Sequence, residues 1–145
     1  MPERTEEQLR RFAYRTGDYA TALRTFRPLA EQGNARAQEA LGIMYEDGLG
    51  VRKNHAESMK WYRLAADQGD ALVQYSVGLR YERGRGVPQD FVEAHKWYNL
   101  AASRLPPGKH RNMAVRQRDL LTGEMTREQL AEARKRAREW EPKGK

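Results

Sequence analysis

The residues of this chain that could do chemistry are few, and their spacing does not form a catalytic pattern. A serine that transfers acyl groups is often followed on its helix by a lysine three residues later, because the amine activates the hydroxyl. Ser58, Ser76 and Ser103 are instead followed at that distance by Trp, Leu and Pro. The sequence has no cysteine, which excludes a thiol nucleophile, a thiolate metal site and a disulfide framework.

The histidines, paired glutamates and glycine-rich loops also favour structural roles. His55, His95 and His110 lack the spacing of metal ligands, so we interpret them as surface or packing residues. Glu57 and Glu93 occupy equivalent places 36 residues apart, which is typical of helix caps rather than of a catalytic pair. The Gly-x-Gly loops follow no predicted strand, as a nucleotide-binding loop would. We therefore expect no catalytic residue, no metal site and no cofactor.

The positive charge of the chain is concentrated in its last third. The 145 residues include 27 Lys and Arg against 20 Asp and Glu, a net charge of +7. Residues 104–145 hold 12 of the basic residues against 6 acidic ones. The length favours a single domain, and no apolar run approaches the roughly 20 residues that a membrane-spanning helix needs.

The sequence as written begins with polar and acidic residues, where a signal peptide would have a basic segment followed by an apolar one. We therefore expect a cytoplasmic location. If a leader precedes Met1 in the natural protein, the expectation changes to a periplasmic or secreted location.

A block of residues beginning at position 37 recurs 36 residues later. A fixed period of this length is typical of proteins whose repeats stack into a solenoid. The small residues of the block would let helix axes approach closely, and its aromatic residues would fill the remaining space. The paired segments are Leu41-Gly42-x-x-Tyr45 with Val77-Gly78-x-x-Tyr81, Gly48-x-Gly50-Val51 with Gly84-x-Gly86-Val87, and Trp61-Tyr62-x-x-Ala65-Ala66 with Trp97-Tyr98-x-x-Ala101-Ala102.

Capping signals and the helical spacing of apolar residues predict an all-α protein of about eight helices in antiparallel pairs. Thr5-x-x-Gln8 begins the first helix and Thr126-x-x-Gln129 the last, since each pattern is typical of a capping box. The helix that ends near Leu121 places Met113, Ala114, Leu120 and Leu121 on one face. We predict one domain composed of an N-terminal half repeat (5–34), two full repeats (35–70 and 71–104), C-terminal capping helices (105–142) and a disordered tail (143–145).

The two blocks resemble the Sel-like repeat (SLR), a relative of the tetratricopeptide repeat with a longer loop between its helices. The resemblance covers about residues 17–103, with departures at Val73, Val77 and Leu105. It implies a right-handed α/α solenoid that acts as a non-catalytic adaptor for a protein or peptide. Some secreted relatives are described as β-lactamase-like enzymes, an alternative that is less favoured because this chain lacks cysteine and the Ser-x-x-Lys pattern.

The resemblance also implies which residues meet the partner, because the first helix of each repeat would line the concave face. Leu72, Tyr75 and Leu79 fall at i, i+3 and i+7 and form an apolar stripe that could seat a peptide or a helix. The alternative interpretation, that these three belong to the core, stays open. The predicted partner-binding residues are Arg36, Glu39, Ile43, Glu46, Leu72, Tyr75, Leu79 and Glu82.

The basic C-terminal helices support an alternative hypothesis. Their cations could bind an acidic protein surface or, less favoured, the phosphates of a nucleic acid. The acidic residues interleaved among them favour an ordinary solvated face instead. For the chain as a whole we expect a monomer or weak self-association. The residues of the predicted basic surface are Arg111, Arg116, Arg118, Arg134, Lys135 and Arg138.

Overall fold

The structure is a computed structural model that describes residue 15 and residues 17–143. Within these residues the chain forms seven α-helices and no strand, which confirms the predicted all-α class. The helix predicted from Thr5 lies outside the described residues. The helices are α1 (Tyr19–Glu31), α2 (Ala35–Asp47), α3 (His55–Asp67), α4 (Ala71–Arg83), α5 (Phe91–Arg104), α6 (Lys109–Thr122) and α7 (Arg127–Glu139).

Short oxygen-bearing side chains cap six of the seven described helices, and only α6, which follows Gly108, has no side-chain cap. Asn54 accepts a hydrogen bond from the backbone amide of Glu57, and Asp90 accepts the equivalent bond from Glu93, each at 3.0 Å. These bonds satisfy amides that have no partner within the helix. Thr126 and Gln129 form the complete reciprocal capping box that was predicted for the last helix.

The loops inside the two repeats have the same geometry because their glycines adopt the same backbone conformation. Gly48 and Gly84 end α2 and α4 with φ angles of 70° and 67°, in the left-handed region that favours glycine. Gly86 also has a positive φ, and a β-carbon there would lie 2.3 Å from the carbonyl oxygen of His55. The loop of the second repeat therefore packs directly on the start of α3, and this position accepts only glycine.

Consecutive helices pack on one another from α1 to α6, and α7 departs from this order by packing against α5. The largest core cluster joins both repeats, with Ile43, Tyr62, Val77 and Trp97 fully or almost fully buried. Burial of these apolar side chains is the main favourable contribution to the stability of the stack.

Buried amides add a second, periodic connection between neighbouring helices. Gln38 donates from Nε2 to the carbonyl of Ala30, and Gln74 donates in the same way to Ala66. These carbonyls lie near the ends of α1 and α3, where helix carbonyls need partners from outside the helix. The bonds recur with the 36-residue period, although the sequence analysis did not single out either glutamine.

Candidate functional site

Three of the residues predicted to bind a partner from α2 are buried in the structure. Ile43 is part of the core cluster between the repeats, and Glu39 is only 1% exposed. Glu46 is buried as well, and its carboxylate lies 2.8 Å from Nε of Arg85 and 3.7 Å from Arg80. The prediction of a free partner surface is therefore wrong for these three residues. A buried carboxylate needs cations nearby, and both of these arginines belong to the second repeat. Glu46 therefore links the first repeat to the second.

The apolar stripe on α4 is neither a free surface nor part of the core, the two interpretations that the sequence left open. Leu72, Tyr75 and Leu79 are all half-buried. Their inner sides pack on the clusters formed by α5 and α6, which contain Ala114 and Leu121 of α6. Each side chain thus contributes to packing and still presents part of its surface to solvent.

Helix α6 extends this stripe with two exposed apolar side chains. Met113 is 40% exposed and Leu120 is 61% exposed. The side chain of Gln117 lies close to that of Tyr75, and Met113 and Leu120 stand four residues before and three after Gln117, so they lie on the same side of α6. We call the surface formed by Leu72, Tyr75, Leu79, Met113 and Leu120 the α4–α6 strip.

The exposure of Met113 and Leu120 differs from the pattern inferred from the sequence, which grouped them with Ala114 and Leu121 on one face. In the structure only Ala114 and Leu121 are buried. Adjacent residues of a helix point about 100° apart, so the doublets 113–114 and 120–121 span two faces. Helix α5 covers the face with Ala114 and Leu121 and does not reach the face with Met113 and Leu120.

Charged groups border the α4–α6 strip. Arg83 lies near Tyr75 and is exposed, as is Arg116 on α6. Glu82 is half-buried and accepts a hydrogen bond from the hydroxyl of Tyr98. Burial, followed by this bond to Glu82, raises the pKa of Tyr98 far above its usual range, so the phenol stays protonated. The carboxylate of Glu82 thus already accepts a hydrogen bond within the protein, whereas the side chains of Arg83 and Arg116 are exposed to solvent.

The predicted basic surface is only partly available to a partner. Arg118 is half-buried and donates hydrogen bonds to Asn99 and Asp119, each at 3.1 Å. Arg134 and Arg138 are exposed on α7 and form no ion pair with a described residue. The remaining predicted members are also exposed; they are Arg111, Arg116 and Lys135.

No group of His, Asp and Glu side chains in the part of the chain that the structure describes could hold a metal ion. Among the same residues, no helix has both the length and the apolar character needed to cross a bilayer.

Comparison with known proteins agrees with the helical repeat architecture. The family model described as Sel1 repeat matches residues 35–70 and 71–104. A protective antigen of uropathogenic Escherichia coli that displays an SLR fold is similar, with 30% sequence identity over 79% of this chain and a TM-score of 0.71. A Sel1 repeat protein from Oxalobacter formigenes is 34% identical over 88% of this chain, with a TM-score of 0.66. No curated protein matches the sequence.

The similar structures are longer than this chain, which spans 24% of the first and 53% of the second. They confirm the predicted α/α solenoid. Sel1-repeat proteins are generally non-enzymatic modules that bind protein partners. The chain thus contains two Sel1 repeats, at residues 35–70 and 71–104.

Proposed function

We propose that this chain is a non-catalytic adaptor that binds a segment of a partner protein along the α4–α6 strip. The observation that carries the proposal is the exposure of Leu120 beside the half-buried Tyr75 and Leu79. Isolated exposed leucines are common on protein surfaces, but a leucine that continues a partly exposed apolar strip is typical of an interaction site.

The shape of the strip suits an amphipathic partner segment. Both α4 and α6 contribute partly exposed apolar side chains, as do the helices of grooves that bind a peptide helix through residues spaced three and four apart. Arg83 and Arg116 at the border are exposed. A partner with acidic residues beside its apolar face would therefore associate faster and with better orientation than a neutral one.

A second candidate function rests on the exposed arginines of α7. Arg127, Arg134 and Arg138 are spaced seven and four residues apart, so they fall on one face of the helix, and all are exposed. Unpaired cations on one face favour binding to an acidic protein surface or to phosphates, with strong dependence on salt. A cytoplasmic location remains part of the proposal.

Affinity capture from a nuclease-treated lysate of the source organism tests the first proposal. The double variant Met113→Ser, Leu120→Ser changes only exposed side chains of the strip, and Leu29→Ser, at an exposed leucine of α1, is the matched control. We expect a protein that the wild type and the control both retain and the double variant loses.

If the double variant retains the same proteins as the wild type, the strip is not the docking surface. Capture that is insensitive to the double variant but disappears at high salt, and in an Arg134→Glu, Arg138→Glu variant, would support the basic surface of α7 instead.

A further inference from the structure

The last helix of the chain is held on the second repeat by a specific set of contacts. Nη1 of Arg136 donates to a carboxylate oxygen of Glu93 at 2.7 Å. Four residues later, the Trp140 ring packs edge-on against Trp97, with ring centres 6.3 Å apart. Trp140 also packs on the core cluster that contains Leu100. An ion pair and an aromatic contact on one side of α7 thus fix it to α5.

Residues of α3 form the rest of the surface on which α7 lies. Nζ of Lys143 lies 3.9 Å from the carboxylate of Asp67, and the guanidinium of Arg63 lies 4.0 Å from Glu93. We call the surface that holds α7 the second-repeat seat. It is formed by Arg63, Asp67, Glu93, Lys96, Trp97, Leu100 and Arg104.

The 36-residue period places nearly the same residues on the first repeat. Arg27, Glu57, Lys60, Trp61 and Leu64 stand 36 positions before Arg63, Glu93, Lys96, Trp97 and Leu100, and Glu31 stands in place of Asp67. The geometry repeats as well, since Arg27 donates to the hydroxyl of Tyr45 and Arg63 to that of Tyr81. We call this surface the first-repeat seat. It is formed by Arg27, Glu31, Glu57, Lys60, Trp61 and Leu64.

The two seats differ in exposure. Leu100 is 7% exposed beneath α7, whereas Leu64 is 40% exposed. The side chain of Lys96 is 11% exposed and that of Lys60 is 64% exposed. The pairs have identical residue types and equivalent places in the repeat, so the difference follows from what covers them. Helix α7 covers the second seat, whereas no helix of the described residues covers the first.

The polar groups of the first-repeat seat are also left incompletely paired. Nε1 of Trp97 donates to Glu93 at 3.3 Å, whereas the buried Nε1 of Trp61 has no hydrogen-bond partner among the described residues. Glu57 pairs with Lys60 at 3.9 Å on the surface, an interaction of little energy. Glu93 by contrast is surrounded by three cations, those of Arg63, Lys96 and Arg136.

We propose that the first-repeat seat binds a helix of a partner protein with the chemistry of α7. Such a helix carries an arginine that pairs with Glu57 and, four residues later, a tryptophan that covers Leu64 beside Trp61. Residues four apart lie on the same side of a helix, so both contacts form at once. This surface lies apart from the α4–α6 strip and adds a second docking site to the proposed function.

One difference between the seats sets an expectation about affinity. Arg104 lies 5.3 Å from the Trp140 ring, where it makes a cation–π contact, but Gln68 replaces it in the first repeat. The amide of Gln68 is already bound to the carbonyl of Gly33 at 2.8 Å. The first-repeat seat therefore binds its helix without this cation–π contact, through the ion pair and the apolar contact.

The test uses a labelled synthetic peptide with the sequence of residues 124–143, because this segment carries Arg136 and Trp140 at the required spacing. Fluorescence anisotropy measures its binding to the intact chain. We expect saturable binding that Leu64→Ser and Glu57→Gln each weaken about tenfold. A peptide with Trp140→Ala should bind more weakly by a similar factor, and Leu120→Ser in the protein should leave the affinity unchanged.

Several outcomes would overturn the proposal. One is the absence of binding at millimolar peptide, and another is binding that Leu64→Ser and Glu57→Gln do not change, since the peptide would then occupy a different surface. Sedimentation of the chain alone gives a third. A dimer that Leu64→Ser dissociates would assign the seat to a second copy of this chain rather than to a partner. Leu120→Ser changes only the α4–α6 strip, whereas Leu64→Ser and Glu57→Gln change only the first-repeat seat. The proposed function and this further proposal can therefore fail independently of each other.

Discussion

Gly78 on α4 packs directly against the ring of Tyr98 on α5, so closely that a β-carbon at residue 78 would lie 2.7 Å from two of the ring carbons. Gly42 and Tyr62 form the equivalent pair in the first repeat, where the corresponding distance is 3.1 Å. Both rings are fully buried. The glycine of each repeat thus determines how closely its two helices approach.

The first prediction concerns this contact. Gly78→Ala should lower the free energy of unfolding by about 1–2 kcal/mol, because the cost of overpacking a buried ring exceeds the helix propensity that alanine gains. Gly42→Ala should cost less, since its neighbour must move by a smaller distance. Urea unfolding followed by circular dichroism measures both. A Gly78→Ala protein more stable than the wild type would contradict the argument.

The second prediction concerns the attachment of α7. Trp140→Ala should lower the free energy of unfolding by about 2 kcal/mol, less than a fully buried tryptophan would, because the ring is half-exposed. Lys143→Ala removes only a surface ion pair and should change the stability by less than about 0.5 kcal/mol. Equal effects of the two variants in urea unfolding would show that the Trp140 ring contributes nothing specific.

The third prediction follows from the carboxyl group of Glu93. Burial alone would raise its pKa, but the hydrogen bond from Arg136 and the charges of Lys96 and Arg63 outweigh burial and hold the pKa below the ordinary value of 4.5. The unfolded chain therefore takes up this proton first as the pH falls. The stability that Glu93 contributes is present above about pH 4.5 and is lost as the pH falls through the lower folded pKa.

Glu93→Gln removes this titration. Between roughly pH 5 and pH 3, the variant should lose less stability than the wild type, as measured by urea unfolding at a series of pH values. Parallel curves for the wild type and Glu93→Gln would be incompatible with a lowered pKa.

The fourth prediction concerns His95, which is buried between α5 and α6. The hydroxyl of Thr122 donates to the carbonyl of Arg118 at 2.9 Å, so it accepts from Nε2 of His95 at 3.1 Å and this ring nitrogen carries a proton. Burial, with the nearby charges of Arg118 and Arg134, lowers the pKa of His95 from 6.5 to about 4.

The unfolded state therefore binds a proton at this histidine between pH 6.5 and pH 4, where the folded state does not. Stability should fall as the pH decreases through this window, with a slope approaching about 1.4 kcal/mol per pH unit. His95→Met introduces the residue found at the equivalent position of the first repeat, Met59. The variant should show a flatter pH profile in thermal unfolding, and an unchanged profile would refute the assignment.

The sequence was sufficient to predict the helices and their pairing, because the signals for both are local or periodic. Asn54, Asp90 and Thr126 cap helices in the structure as their patterns indicate. The recurrence of small and aromatic residues predicted a close approach of the helix axes, and in the structure Gly42 and Gly78 pack against Tyr62 and Tyr98. A residue type that sterics require at one place can be recognised without knowing the rest of the fold.

The candidate site was less predictable, because exposure depends on which helix lies on which face. Glu39, Ile43 and Glu46 stand 36 residues before Tyr75, Leu79 and Glu82, yet they are buried whereas the later three are half-buried. The exposed positions of Met113 and Leu120 could not be separated from those of Ala114 and Leu121 by periodicity alone, because each pair shares one stretch of helix.

The sequence by itself thus determined the repeat, the helix ends and the all-α class, since these depend on steric and hydrogen-bonding preferences of nearby residues. The tertiary structure alone decided that α7 packs on α5, that Leu100 is covered, and that Leu64 at the equivalent position remains exposed. Identical residues acquire different environments because burial depends on neighbours that are distant in the chain, and the 36-residue period contains no information about where the final helix lies.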